Sequence, residues 1–539
     1  MRFTLSKISY KVIERIFKTI RKTELIYFTL FILLFACTTS TEKKVAEWPH
    51  GVYYEIFVQS FYDADGDGIG DFKGLTQKLD YLAELGVNGV WLMPIMESPT
   101  YHKYDVTNYK SIHPDYGTEE DFKTFVQEAH KRNIKVIVDL ILNHTGYDHP
   151  WFLNAKQGKD AEFRDYYVWA MKDSIREQIA KKEISLDSDN ITQWHAVDGD
   201  TTQEHYYGFF WGGMPDLNFD NPKVKEEFID IGKYWLEYMN VDGFRLDAAK
   251  HIFPDERAED NHEFWVWFRK EMEKIKPDVY LVGEVWSGAE QVAPYLRGLP
   301  ALFNFDLGYA ITRTVNAGKN TEDLIGKYKG IIDYYQSITS DYIDATFLKN
   351  HDQNRILSEL GGDQNKARVA AAILLTLPGT PYLYYGEEIG MLGIKPDEYI
   401  REPFIWDEDG KDKGQPLWIE PRYSTSQTVV PLSRQINDET SLYHFYKQLI
   451  AIRNASRALT YGAIEMVNIP TQEIISFIRK DGKEDLLVLH NISDTEITIF
   501  INEDIKKYSN VLYRSHDEAI VSKEEIVVPA YSTLIINSK

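Results

Sequence analysis

Lys135 to His144 reads KVIVDLILNH, nearly unbroken in apolar residues until it closes on Asn143 and His144. A strand buried on both faces has this pattern, whereas a half-exposed strand would alternate apolar and polar residues. Seven further runs of the same kind lie around it. They are YYEIFV from Tyr53, GVNGVWLMP from Gly86, GFRLDAA from Gly243, VYLVGEVW from Val279, ALFNFDL from Ala301, ATFLKNHD from Ala345 and TPYLYYGEE from Thr380. Segments with helical spacing separate them, among them LTQKLDYLAELG, EEDFKTFVQEAHKRN and VKEEFIDIGKYWLEYMN, several ending on a Gly or Asn stop signal. Eight strand–helix units predict an α/β fold, the (β/α)8 TIM barrel, whose strand C-terminal ends converge on one mouth. A doubly wound open sheet is the structural alternative, but no Gly-rich phosphate loop follows the first run.

The rest of the chain sets limits on function. It has 539 residues and a formal net charge of −23, which argues against nucleic acid as a partner. With 43% apolar and 14% aromatic residues it has the means to bury a large core with satellites. The single cysteine, Cys37, excludes an intramolecular disulfide and any metal centre built on several thiolates.

Residues 1–36 read as an export signal. Seven basic side chains precede the apolar stretch Leu25 to Ala36, which is too short for the roughly 20 residues of a membrane-spanning helix. The stretch ends LFAC, similar to the bacterial lipobox in which the cysteine is lipidated, and residues 37–47 then form a polar tether. The expectation is an exported lipoprotein, periplasmic or anchored at the cell surface, attached to membrane only through lipid on Cys37; an ordinary signal peptide with an incidental cysteine is the alternative. Removing the signal leaves the protein more acidic still, so electrostatic adhesion to anionic lipid is not expected.

Two regions break the strand–helix rhythm. The connection from His144 to Gly243 is far longer than a normal loop, and the next helix starts only near Pro222. Its many aromatics, among them Trp151, Tyr166, Tyr167, Phe209, Phe210 and Trp211, predict a small domain at 145–218 walling a cleft over the mouth. The barrel then comprises 48–144 and 219–457. Beyond Ala458, IISFIRK, DLLVLHN, TEITIFI and EEIVVPA alternate with turn signals and predict a C-terminal antiparallel β-sandwich domain over 458–539. A monomer is expected.

The strand tips carry the chemistry. Asp139 and the Asn143–His144 pair end the third run, Arg245 and Asp247 lie on the fourth, Glu284 on the fifth, and His351 and Asp352 end the seventh. Several carboxylates at one mouth suit glycosidic-bond hydrolysis, in which one attacks the anomeric carbon and a protonated one serves the leaving oxygen. One acidic strand end alone would more often cap a helix or pair with arginine. Near the first run, DADGDGIGD (Asp63 to Asp71) offers the carboxylates of Asp63, Asp65, Asp67 and Asp71 and the Ile69 carbonyl as hard ligands for Ca2+, with Gly66 and Gly68 allowing the tight turn. It is not an EF-hand, since Gly74 occupies the position of the bidentate Glu. A solvated Asp/Gly-rich turn is the alternative.

DLILNH at Asp139 to His144, GFRLDAAKH at Gly243 to His251, GEVW at Gly283 to Trp286 and FLKNHD at Phe347 to Asp352 resemble, in order and spacing, the four sequence regions of the α-amylase superfamily, glycoside hydrolase family thirteen. The resemblance runs from about Trp48 to the C terminus. It implies a retaining double displacement on starch or maltooligosaccharides, with Asp247 as nucleophile, Glu284 as general acid/base and Asp352 as stabiliser. It also implies that His144 and His351 hydrogen-bond the reacting sugar. Arg245, two residues from Asp247 on one strand face, should hold that aspartate ionised, and Glu284 should have a raised pKa. YHKYDVTNY (Tyr101 to Tyr109) is similar to the family's HGYD segment, making His102 a sugar ligand and Tyr104 a stacking platform, with Lys103 in place of Gly. Lys250–His251 is the pair of α-1,4-acting members, whereas MPDLNFD (Met214 to Asp220) mixes forms and leaves side specificity open. Many members bind calcium through a loop like Asp63–Asp71, and some at a second site to which Asn143 would belong. An α-glucosidase or oligosaccharidase, with Asp105 favouring non-reducing ends, a transglycosylase, and a catalytically silent glucan-binding lipoprotein are the other readings.

Overall fold

Alternation along the strands decides which side chains meet on the barrel axis. In the computed structural model, which describes residues 46–171, 193–199, 204–408 and 410–538, the eight apolar runs form β1 (Tyr53–Ile56), β2 (Gly89–Leu92), β3 (Lys135–Leu140), β7 (Gly243–Leu246), β8 (Tyr280–Gly283), β9 (Ala301–Phe303), β10 (Ile343–Phe347) and β11 (Thr380–Tyr384). They pair in parallel and close into a barrel, with Tyr53 opposite Gly89 on one side and opposite Tyr382 on the other. Tyr54, Val90, Val136, Val138, Phe244 and Leu246 face the surrounding helices. Tyr53, Trp91, Ile137, Tyr280, Phe303, Phe347 and Tyr382 fill the axis instead. The period of two then puts Glu55, Asp139, Arg245 and Asp247 on the inner face, toward the C-terminal mouth.

The helices follow from local signals. Glu119–Lys131 starts at Thr118, whose hydroxyl accepts the Asp121 N–H at 3.2 Å while Asp121 accepts the Thr118 N–H at 3.0 Å. It buries Phe122, Phe125, Val126 and Ala129, one face at helical spacing. Pro222–Lys233, capped by Asn221, continues into a π turn at Tyr234–Tyr238. Within the long connection, β4 (Trp169–Met171), β5 (Trp194–Ala196) and β6 (Glu204–Tyr207) make an antiparallel sheet in the order β4-β6-β5. Phe152 packs edge-to-face on Tyr167 and Tyr206 beneath it.

At the C-terminal end, β12 (Ala463–Met466), β13 (Ile474–Lys480), β14 (Asp485–Asn491), β16 (Tyr508–Arg514) and β19 (Thr533–Ser538) form a five-stranded antiparallel sheet. The strands β15 (Ile497–Phe500), β17 (Ile520–Val521) and β18 (Glu525–Val528) form a second one. An apolar cluster including Ile474, Leu487, Leu489, Ile499, Ile526 and Ile536 links the two sheets. The α/β barrel and the C-terminal antiparallel sheets are the expected fold class. Helix Arg457–Tyr461 runs past Ala458, so the first C-terminal strand begins at Ala463. The signal, the lipobox and Cys37 lie outside the described residues. Among the described residues no helix is long and apolar enough to cross a membrane.

Candidate active site

Arg245 sits at the centre of the mouth, buried, with ion pairs radiating from one guanidinium. Nη1 lies 3.0 Å from Asp139 Oδ1 and 2.5 Å from Asp247 Oδ1, and Nη2 lies 2.7 Å from Glu284 Oε1. The strand register brings this about, because Asp139 of β3 is directly opposite Arg245 of β7. Glu284 follows β8, and its other oxygen accepts the Ala248 N–H at 3.1 Å. Ala248 holds a left-handed φ of 46°, an unfavourable conformation for alanine that aims this N–H at the acid. Asp247 and Glu284, joined through one side chain, face the same cavity.

Burial raises Glu284 to about 7, helped by the charges of Asp247 and Asp352 and opposed by Arg245. Burial also lifts Asp139 to about 7. Asp352 behaves in the opposite way. Burial works against its charge, yet His351 and Arg401 hold it below the usual carboxylate range. On the cavity wall itself, Glu284 is therefore an acid poised near neutrality and Asp352 a carboxylate kept ionised, the division of labour that acid-assisted glycoside cleavage needs.

The cavity has a volume of about 580 Å3 and is lined by Asp247, Glu284 and Asp352 together with His102, Tyr104, His144, Lys250 and His251. Burial lowers His102 to about 4 and also lowers His144, so both rings enter as neutral hydrogen-bonding groups. Tyr104 stacks on His351 with ring centroids 5.6 Å apart, and Lys250 Nζ donates to Ser287 Oγ at 3.3 Å. His251 stacks on Phe209 at 4.0 Å. Three of the residues expected to touch substrate lie behind the wall. Arg245 and His351 are buried beneath the carboxylates. Asp105 accepts hydrogen bonds from Ser98 at 2.7 Å and from Thr100 and stands 4.0 Å from His102, so its oxygens brace the loop.

Other lining residues were not singled out as site residues from the sequence: Phe210, Trp211 and Met214 from the long connection, Trp286 after β8, and Lys395, Asp397 and Arg401 after β11. The aromatics were visible as composition, and Trp286 ends the GEVW motif. Arg401 had no signal, since it comes from an irregular segment. It donates to Asp352 Oδ1 at 3.0 Å, Asp397 Oδ2 at 3.2 Å, the Tyr101 hydroxyl at 3.1 Å and the His351 carbonyl at 3.0 Å.

Lys103 keeps the backbone a glycine would choose, with φ at 64°, and its side chain is buried away from the cavity. Its ammonium donates to the carbonyls of Thr100 and Tyr101 at 3.4 and 3.5 Å and lies over the Tyr116 ring, so it reaches no sugar hydroxyl. Asn143, a candidate for a second calcium site, donates its amide directly to Asp216 Oδ2 at 3.2 Å and the His251 carbonyl at 2.6 Å, pinning the end of the long connection to the barrel.

In the acidic loop after β1, carboxylate oxygens of Asp63, Asp65 and Asp71 lie within 4.8 Å of one another. Asp63 accepts the N–H groups of Gly66 and Gly68 at 2.6 and 2.8 Å, and Asp71 those of Ala64 and Gly74 at 2.7 Å each. Three hard, anionic donors held together by the backbone fit a calcium ion. Asp67 is not part of the trio, and its Oδ1 accepts the Ile69 N–H at 2.8 Å.

Comparison with known proteins agrees with this geometry. The family model described as the alpha-amylase catalytic domain matches residues 55–462, and that of the alpha-amylase SusG C-terminal domain matches 474–535. The chain is 42% identical over 514 residues to Alpha-amylase 3 of Dictyoglomus thermophilum, covering 94% of this chain and 97% of that protein. It is 35% identical over 460 residues to a 4-alpha-glucanotransferase of Thermotoga neapolitana, covering 85% and 98%. The crystal structure of an alpha-amylase from H. orenii superposes with a TM-score of 0.82 at 46% identity, covering 91% of this chain and 99% of that one. With its matched catalytic and C-terminal regions, its closed barrel and its three carboxylates around one cavity, the chain belongs to the alpha-amylase family of glycoside hydrolases.

Proposed function

We propose that the protein is a retaining hydrolase that cleaves α-1,4-glucosidic bonds in starch or maltooligosaccharides. One observation carries the reading: a single guanidinium joins Asp247 and Glu284 on a cavity that Asp352 also lines. Asp247 attacks the anomeric carbon as Glu284 gives its proton to the leaving glycosidic oxygen, and a covalent glycosyl-enzyme forms. Glu284, now ionised, takes a proton from water, which attacks the same carbon and releases Asp247. Asp352, kept ionised by His351 and Arg401, stabilises the positive charge that develops on the sugar ring. Apolar walls at Phe210, Trp211 and Trp286 suit the carbon faces of successive glucose units. Soluble starch tests this directly. The wild type should release reducing sugar, and Asp247→Asn should lose activity on the order of 10⁴-fold; an active Asp247→Asn enzyme would contradict the assignment.

Transfer of the glycosyl group to a second sugar is the other reading, supported by the relative from Thermotoga neapolitana that bears a glucanotransferase name. Products longer than a maltoheptaose substrate would favour it. Asp63, Asp65 and Asp71, with Asp67 and the Ile69 carbonyl as outer candidates, would hold a calcium ion whose role is to lock the loop rather than to take part in bond cleavage. Export and a lipid anchor on Cys37 complete the proposal, supported by the basic leader, the short apolar stretch and the LFAC ending.

A further inference from the structure

His351 has no solvent exposure, and each of its ring nitrogens faces a carboxylate. Nδ1 is 2.5 Å from Glu55 Oε1, and Nε2 is 3.1 Å from Asp352 Oδ2 and 2.6 Å from the Tyr104 hydroxyl. The Tyr104 hydroxyl donates to Asp139 Oδ2 at 3.1 Å, which leaves its oxygen free to accept from Nε2. With Glu55 and Asp352 both ionised, a ring that donates from both nitrogens satisfies every partner, whereas a neutral ring would turn a lone pair toward one of the carboxylates. Glu55 is the unexplained member. It lies on β1, inside the barrel and 1% exposed, where an apolar side chain would pack without cost.

We propose that Glu55 is a positioning residue for the glycosidase reaction: its carboxylate fixes His351 as a two-way donor whose Nε2–H is held on Asp352. The residue acts through His351 and touches no reacting atom. Burial, with a smaller push from the charge of Asp352, raises Glu55, and His351 and Arg245 oppose that rise. On His351 burial opposes charge, but Asp352 and Glu55 outweigh it and raise the ring to about 10. The other charged or titratable groups acting on this pair are Arg245, Arg401, Asp139, Tyr384 and Glu387. All of them remain when Glu55 is changed, so the effect of substitution reports on Glu55 alone. The Trp91 ring edge and the stacked Tyr104 ring then fix the imidazole plane, leaving the proton on Nδ1 as the variable that Glu55 controls.

The inference rests on the proposed reaction only in its kinetic arm, because the protonation of His351 is read without substrate. In wild-type protein carrying 13Cε1-labelled histidine, the His351 resonance should keep imidazolium shifts from pH 5 to pH 9. In Glu55→Gln it should titrate inside that window, with kcat on starch reduced roughly tenfold to a hundredfold. Glu55→Asp should restore part of both, and in a His351→Gln background Glu55→Gln should change kcat by less than about twofold. A wild-type His351 that titrates near 6.5 would overturn the proposal even if Glu55→Gln failed to fold. An unchanged kcat in Glu55→Gln, or an equal loss with and without His351, would overturn it as well. If starch is not cleaved at all, the titration still decides the role of Glu55 while the reaction assignment fails separately.

Discussion

Arg245 and Glu284 set opposite demands on one small space. The guanidinium pulls Glu284 toward ionisation, burial and two neighbouring carboxylates push it back, and the balance leaves it near 7. Glu284 is needed protonated in the first half of the reaction. Activity limited by glycosylation is therefore expected to fall as pH rises through about 7, with a basic limb in kcat/KM that disappears in Glu284→Gln together with at least about a hundredfold of the rate. A basic limb lying above pH 9 would show that another group supplies the proton. These carboxylates were legible in the sequence because they end buried runs, where charge has no packing role. Glu55 was not, since it sits inside the run YYEIFV, and only barrel closure reveals that its face turns to the axis. Arg401 was equally hidden, because nothing in an irregular loop announces which cavity it will reach.

Elements around the barrel hold the site in place, and two of them carry stability tests. The acidic loop Asp63–Asp71 leads into helix Phe72–Gln77, which Asp71 caps, so an ion bound there would brace both. Chelation with EDTA should lower the melting temperature by several degrees, in line with stabilisation by a ligand that binds only the folded state, and added calcium should restore it. An unchanged melting curve and purified protein free of metal would count against that site. Behind β11, Glu387 accepts one hydrogen bond from Tyr446 at 2.8 Å and leaves Oε2 without a partner, and burial raises it to about 8. A carboxyl whose folded pKa lies above its unfolded value gives stability that is whole below about 4.5 and is lost as pH climbs toward 8. Glu387→Gln should thus gain about 1–3 kcal/mol at pH 8 and almost nothing at pH 4, read by denaturant unfolding. An equal change at both pH values would mean that packing, not charge, is responsible. At this scale the eight barrel strands were readable because their apolar runs are continuous. The strands β12, β16 and β17 escaped for the reverse reason: β16, for example, is largely exposed and broken by register shifts against β19, so its sequence shows no clean alternation.

The described part of the molecule comprises a catalytic barrel, a small sheet from the long connection and a C-terminal pair of sheets, and residues 1–36 are the proposed export signal that precedes Cys37. With a net charge of −23, the protein offers no electrostatic route onto an anionic membrane, so attachment would depend on the lipid. Cells making the wild type should carry it in the membrane fraction, and Cys37→Ser should move it to the soluble fraction; a variant still sedimenting with membranes would refute the anchor. On the proposed mechanism, Asp247 and Glu284 work as a retaining pair on an α-glucan. The most direct test is the anomeric configuration of the first products released from maltoheptaose, followed by proton NMR before mutarotation. The wild type should release α-anomers, and Asp247→Asn should release no products. β-Anomers, or α-anomers formed at an undiminished rate by Asp247→Asn, would contradict the mechanism.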